Sequence, residues 1–291
     1  MMVYLFGLLS AFAFGLGLTL QQRGTLQTAA PEGDPRFLRE VLRKPVWLLG
    51  SVLLFCGWLA QATALRYGSL ALVQSLQALS LVFALLLGRY LTCQQVGRRS
   101  FVGALATLLG IVTLVILGQP QGGVARPAAV AWWISGFLIL VLITLLILLA
   151  RSRRGSVPAA LFGTAAGLAF AFQAAATKML VTELGHGVIG IFVSWPLYVF
   201  IAAELGGFAL QQSALKTGFL APATAALNAA TLAASAVMGV AVFEESLFRG
   251  SGRMLPAVVG LVIAIGGVVT LATPAQRGAK MVRQAPPKTH L

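Results

Sequence analysis

The sequence predicts an all-α, polytopic membrane protein with about nine transmembrane helices in two inverted-topology repeats. Three observations predict it. The 291 residues are 58% hydrophobic and 10% charged with a mean hydropathy of +0.91, where a soluble domain carries about 25% charged residues. The apolar residues gather in runs of 18 or more, long enough to cross a hydrocarbon core of about 30 Å. The two halves of the chain also match one another. Nine spans leave only loops and tails, so no second globular domain fits.

Apolar runs bounded by charge, Pro or Gly predict helices near 3–21, 45–65, 69–90, 100–118, 128–150, 157–179, 188–213, 217–242 and 255–273. The first has no basic residue before it, as a secretory signal requires, so it is read as a span. The fifth is framed by Trp132 and Trp133 at one end and by Arg151, Arg153 and Arg154 at the other, where aromatic belts and basic anchors sit. The seventh and eighth are separated by one charged turn at Lys216. Of the 21 Lys and Arg, only Arg66, Arg126, Lys178, Arg249 and Arg253 fall on one side; all others fall on the opposite side. Basic loops stay in the cytoplasm. The expectation is a plasma-membrane protein, or bacterial inner-membrane if prokaryotic, with the N-terminus outside and the C-terminus cytoplasmic.

The repeat appears as three blocks. Leu5-Phe6-Gly7 and Ala13-Phe14 recur as Leu161-Phe162-Gly163 and Ala169-Phe170. Gly57, Gln61, Ala64, Leu65, Gly68, Leu70 and Ala71 recur as Gly207, Gln211, Ala214, Leu215, Gly218, Leu220 and Ala221. Gly103, Gly110, Val112, Thr113 and Leu114 recur as Gly260, Gly267, Val269, Thr270 and Leu271. The expected organisation is therefore 1–126 as the first repeat, 127–156 as a linking helix and basic loop, 157–273 as the second repeat and 274–291 as a basic cytoplasmic tail. Five spans precede the second copy, and an odd number inverts it. Inverted repeats build many alternating-access transporters, with the substrate site near the midplane between the copies.

Among seven acidic residues, six fall in loops or at helix ends: Glu32, Asp34, Glu40, Glu183, Glu244 and Glu245. Glu204 lies about 18 Å along its helix from Lys216, well inside the seventh span, and an intramembrane acid by default marks a transport site, ion ligand or proton relay. The competing reading is that it ties helices together through backbone or Lys178. Polar groups cluster on the third and eighth helices: Gln74, Ser75, Gln77 and Ser80 on one, Thr224, Asn228, Thr231 and Ser235 on the other. Gln74 with Gln77, and Thr224 with Asn228, Thr231 and Ser235, share faces by helical spacing. Such stripes either face a solute pathway or hold helices together. Gln61 and Gln211, at equivalent repeat positions, are read as structural. Lys178 is expected to snorkel, or to serve as charge partner to Glu204 or Glu183. The Glu244-Glu245 pair is explained by solvation at a helix end.

Other chemistry lacks its residues. His186 and His290 stand apart with no zinc spacing, and Cys56 and Cys93 form no framework. No P-loop or GxSxG elbow is present, so neither a cofactor nor an enzyme is predicted. The net charge of +14 lies in scattered loop positions without aromatic interleaving, which speaks against nucleic acid. The partners implied are the lipid bilayer and a small-molecule or ion substrate. Gly163-xxx-Gly167 suits either intramolecular packing or a homodimer.

The segment Ala64-Leu65-Arg66-Tyr67-Gly68, the apolar helix after it, Gly88, Gly103 to Gly110, and the second copy ending Phe243-Glu244-Glu245 resemble the drug/metabolite transporter superfamily, in particular EamA-like proteins. The resemblance covers nearly the whole chain. It implies two inverted units of helices around a central cavity, lined here by the first, third, fourth, sixth, eighth and ninth helices, and a transport role. The usual tenth helix has no counterpart, and the Gly-Glu that commonly ends the third helix is Gly88-Arg89 in the first copy. Nine helices with an outside N-terminus resemble the NIPA-type magnesium transporter branch. The function expected is secondary transport of a small solute or metabolite, proton- or cation-coupled through Glu204. The alternatives are NIPA-like Mg²⁺ transport and a non-transporting membrane partner protein.

Overall fold

The computed structural model describes residues 1–26, 43–91, 98–120, 123–124, 126–183, 188–217, 220–248 and 251–272. The basic tail, the loop carrying Glu32, Asp34 and Glu40, Cys93, His186 and His290 lie outside them. The described residues form helices joined by turns, without a strand: α1 (Met2–Leu26), α2 (Pro45–Tyr67), α3 (Leu70–Gln77), α4 (Leu79–Leu91), α5 (Arg98–Thr113), α6 (Ala129–Ser152), α7 (Val157–Glu183), α8 (Val188–Val193), α9 (Trp195–Lys216), α10 (Leu220–Ala241) and α11 (Met254–Ala272). A single π turn, Leu114–Gly118, extends α5.

Seven helical segments are long and apolar enough to cross a membrane. The other two expected spans are present as helices. α9 is less apolar because it carries Glu204, Gln211 and Gln212, and the apolar stretch of α11, Met254–Thr270, is shorter. Two expected helices are interrupted. The third breaks at Ala78 between α3 and α4. The seventh breaks at Ser194, because Pro196 lacks an N–H and belongs in a helix's first turn, so a new helix starts there.

Packing follows the same plan in both halves. α1 packs on α2 and α4, and α7 packs on α9 and α10. A Cβ at Gly57 would meet Phe14 and Ala13, and a Cβ at Gly207 would meet Phe170 and Ala169. These are the residues that the sequence comparison pairs, and they make like contacts. α5 crosses α11 antiparallel at glycines: a Cβ on Gly110 would strike the Ala264 backbone and one on Gly267 the Thr107 backbone. Thr107 and Ala264 are themselves equivalent by the spacing that relates Gly110 to Gly267. Only small residues let two helix backbones come this close.

α6 is different. It buries only Trp132 and Ala150 of its 24 residues and presents apolar side chains elsewhere, as a helix facing lipid does. The tightest core sits where the end of α7, the start of α3 and the end of α10 meet, around Leu70, Val73, Trp132, Ala175, Val242 and Phe243. We call this the Glu245 end of the bundle. The Arg151 end is the other.

Candidate functional site

The polar stripe is built by α3, α4 and α10. α3 and α10 run antiparallel and touch near the Glu245 end, where Gly239 faces Ala71. Along α3, every residue from Leu70 to Leu76 is buried. Beyond the break, Ser80 to Leu85 of α4 are all half-exposed; likewise Ala226 to Thr231 of α10, against Ser235, Ala236, Met238 and Gly239, which are buried. Six successive residues cover more than a full turn. The exposure is therefore not a lipid-facing stripe alone, and the two third-helices are sealed toward Glu245 and accessible toward Arg151.

The predicted residues fall along this gradient. Gln74, 5% exposed, makes no side-chain hydrogen bond among the described residues, and the fully buried Ser235 hydroxyl on α10 also has no partner. Buried polar groups are normally bonded, because an unmade bond costs about 1–3 kcal/mol. The Ser235 hydroxyl, enclosed and unbonded, therefore calls for an explanation. Gln77 is half-exposed, with Oε1 3.0 Å from the Ser10 hydroxyl of α1, which also donates to Gly57 O of α2 at 2.8 Å. Asn228 Nδ2 donates to Thr224 O (2.8 Å), and the Thr231 hydroxyl donates to Leu227 O (2.9 Å) with Gly167 O of α7 at 3.2 Å. Thr224, Asn228 and Thr231 are all half-exposed. Part of the stripe therefore joins helices, and part presents amide and hydroxyl groups on a half-exposed surface.

Glu204 is half-buried on α9 with no hydrogen bond or ion pair among the described residues. It shares a face with Phe200, whose ring lies 5.4 Å from Trp58 of α2, and with Gly207, which seats against Phe170 of α7. That face is separate from the α3–α10 stripe. Gln61 is buried and Gln211 half-exposed.

Lys178 neither snorkels nor pairs with Glu204 or Glu183. It is 6% exposed, and its ammonium pairs with the Glu245 carboxylate, itself 3% exposed. Glu183 pairs instead with Arg126 at 3.1 Å. Glu245 is likewise not a solvated helix end. Glu244 takes a left-handed backbone (φ 55°), a turn that commonly ends helices, and the Glu245 N–H closes back on Gly239 O at 2.9 Å. The turn leaves Glu244 exposed and aims Glu245 inward. Its carboxylate accepts from the Leu70 N–H (2.5 Å) and Ala71 N–H (3.1 Å), while Ser69 Oγ accepts from the Leu72 N–H (3.2 Å). The first turn of α3 is thereby capped, with the anion against the positive end of the helix dipole. Gly239 leaves room for the carboxylate, since a Cβ there would strike it.

The Lys178 ammonium also lies 4.6 Å above the Phe243 ring, a favourable cation–π placement. Around it Trp132 stacks on Phe172 at 4.9 Å and meets Trp195 and Phe243 edge-on. Two acids side by side in a chain holding seven were the signal for this site in the sequence; what no periodicity shows is which way a residue past a helix end turns. Among the described residues, no group of three or more His, Cys, Asp or Glu side chains gathers to hold a metal ion.

No family model matches the chain, and no solved structure matches it. Over 275 residues it is 24% identical to an uncharacterized protein of Corynebacterium glutamicum, covering 94% of this chain and 95% of that one. Over 134 residues it is 29% identical to a protein of Arabidopsis thaliana named probable magnesium transporter NIPA6, covering 45% of this chain and 39% of that one. With seven apolar helices long enough to span a bilayer, the chain is a multi-pass helical membrane protein, similar over part of its length to a protein named for magnesium transport.

Proposed function

We propose that the chain is a secondary carrier of the drug/metabolite transporter kind, nine helices in two inverted copies that move a small solute by alternating access. The observation that carries this reading is the graded burial of the third helix of each copy. The two are sealed together at the Glu245 end and half-exposed toward the Arg151 end, with Gln74 and Ser235 unpartnered where the two zones meet. A carrier caught open to one side has this form, with its site near the midplane between repeats. The equivalent contacts of Gly57 and Gly207, and of Gly110 and Gly267, support the repeat. By the distribution of Lys and Arg, the open side is cytoplasmic.

Mg²⁺ is the cargo to test first. The partial likeness to the Arabidopsis protein favours it, and the amide and hydroxyl oxygens of Gln74, Gln77, Asn228 and Thr231 suit a cation that keeps several of its own waters. Glu204, ionisable and without a partner, is the candidate for cation or proton coupling. The test is Mg²⁺ entry into proteoliposomes loaded with an Mg²⁺-sensitive dye, with Glu204→Gln and Gln74→Leu proteins and protein-free vesicles beside the wild type. Saturable entry, lost in Gln74→Leu and stripped of its pH dependence in Glu204→Gln, is expected. Entry no faster than in empty vesicles from folded protein removes Mg²⁺ and moves the search to amino acids and other metabolites. Unchanged rate and pH dependence in Glu204→Gln removes the coupling role.

A further inference from the structure

The Lys178–Glu245 pair joins three parts of the molecule that a carrier must move relative to one another. Glu245 follows α10, the third helix of the second copy; its carboxylate bonds to the first turn of α3, which opens the third helix of the first copy; and Lys178 belongs to α7. No other charged side chain meets the carboxylate among the described residues. All three parties depend on it. Withdrawing it strands a buried ammonium and two buried N–H groups, so partial separation in a dry core is unfavourable at every step until water enters. Such a joint has two states, shut or fully open. The sequence places Gly88-Arg89 at the corresponding end of the first copy's third helix, where the second copy carries Glu244-Glu245.

We propose that Glu245, Lys178 and the first turn of α3 form the outer gate of the carrier, and that the carrier opens outward by withdrawing the Glu245 carboxylate from both partners. This rests on the alternating-access reading above. The gate is not a simple ion pair, because the α3 terminus requires an acceptor on the residue 245 side. A reversed pair would set an ammonium against N–H groups and the positive end of a helix dipole. Exchanging the two charges therefore fails to restore the gate, whereas a bare ion pair would tolerate the exchange.

The experiment reads accessibility rather than flux. In a chain whose Cys56 and Cys93 are replaced by Ala and Ser, Ser235→Cys reports from one turn beneath Gly239 and Thr224→Cys from the far end of α10. A membrane-impermeant thiol reagent is applied from each side in turn. In the otherwise unchanged protein, outside reagent leaves residue 235 unlabelled and inside reagent labels residue 224. Adding Glu245→Gln raises outside labelling at 235 at least tenfold and lowers inside labelling at 224, as the population shifts between two states. Lys178→Met, which leaves the helix capped, moves both in the same directions by less. Lys178→Glu combined with Glu245→Lys behaves like Glu245→Gln. Unchanged labelling at 235 in Glu245→Gln overturns the gate, as does faster labelling at both positions, which marks a loosened fold. Recovery of the wild-type pattern by the exchanged pair overturns the part given to α3. If inside reagent never reaches residue 224 in the unchanged protein, the carrier reading fails, whatever residue 235 shows.

Discussion

The two ends of the α3–α10 pair carry different polar groups and differ in burial. At the Glu245 end, an acid, a lysine and a helix terminus satisfy one another in a packed core that includes Val73, Val242 and Phe243. Toward the Arg151 end, Thr224, Asn228 and Thr231 lie on a half-exposed surface, bonded mostly to their own helix. The difference teaches that charged groups can be enclosed in a membrane protein when acid, base and helix terminus are paired with one another, whereas amides and hydroxyls bonded to their own helix can stay at a half-exposed surface.

The largest effect is expected from Glu245→Leu. It strands Lys178 and the Leu70 and Ala71 N–H groups together, at a cost of about 3–5 kcal/mol, visible as a lower unfolding midpoint of the purified protein. Lys178→Met should cost less, because the α3 N–H groups still hold the carboxylate. Equal losses would mean that the helix terminus contributes nothing. Gln74→Leu sharpens the contrast from the other side. Removing an amide that bonds to no other group among the described residues should leave stability within about 1 kcal/mol of the wild type, while abolishing flux; a larger loss of stability would show that Gln74 is bonded after all. The mildest test leaves the fold untouched. Tags at the two termini should be accessible from opposite sides of the membrane, and same-side access would break the nine-helix arrangement that labels one end outer.

Most helices were legible because the bilayer writes them into hydropathy: the expected span 128–150 is α6, Ala129–Ser152, and 157–179 is the core of α7, Val157–Glu183. The interruption at Ala78 was not, since an alanine carries no breaking signal and its N–H simply turns to Gln74 O and Ser75 O. Glu204, which the structure places half-buried on α9, was legible as an acid within a helix, because few groups in this chain are ionisable. Glu245 was not. Its role depends on a left-handed backbone at Glu244, where nothing but tertiary contact decides the turn, and on a lysine 67 residues earlier. Lys178 was misplaced for the same reason. A lone lysine near a helix end is expected to reach for water until an acid distant in the chain is known to meet it.

The crossing of α5 and α11 bears on how the protein is made. The glycine-lined side of α5 around Gly110 finds its partner at Gly260 and Ala264, on a helix made much later in synthesis. Until α11 is made that side lacks this partner, and contacts so distant in sequence form late. α11 is thus the piece that closes over α5, and a chain cut short before Met254 would leave α5 without that partner, a natural mark for membrane quality control.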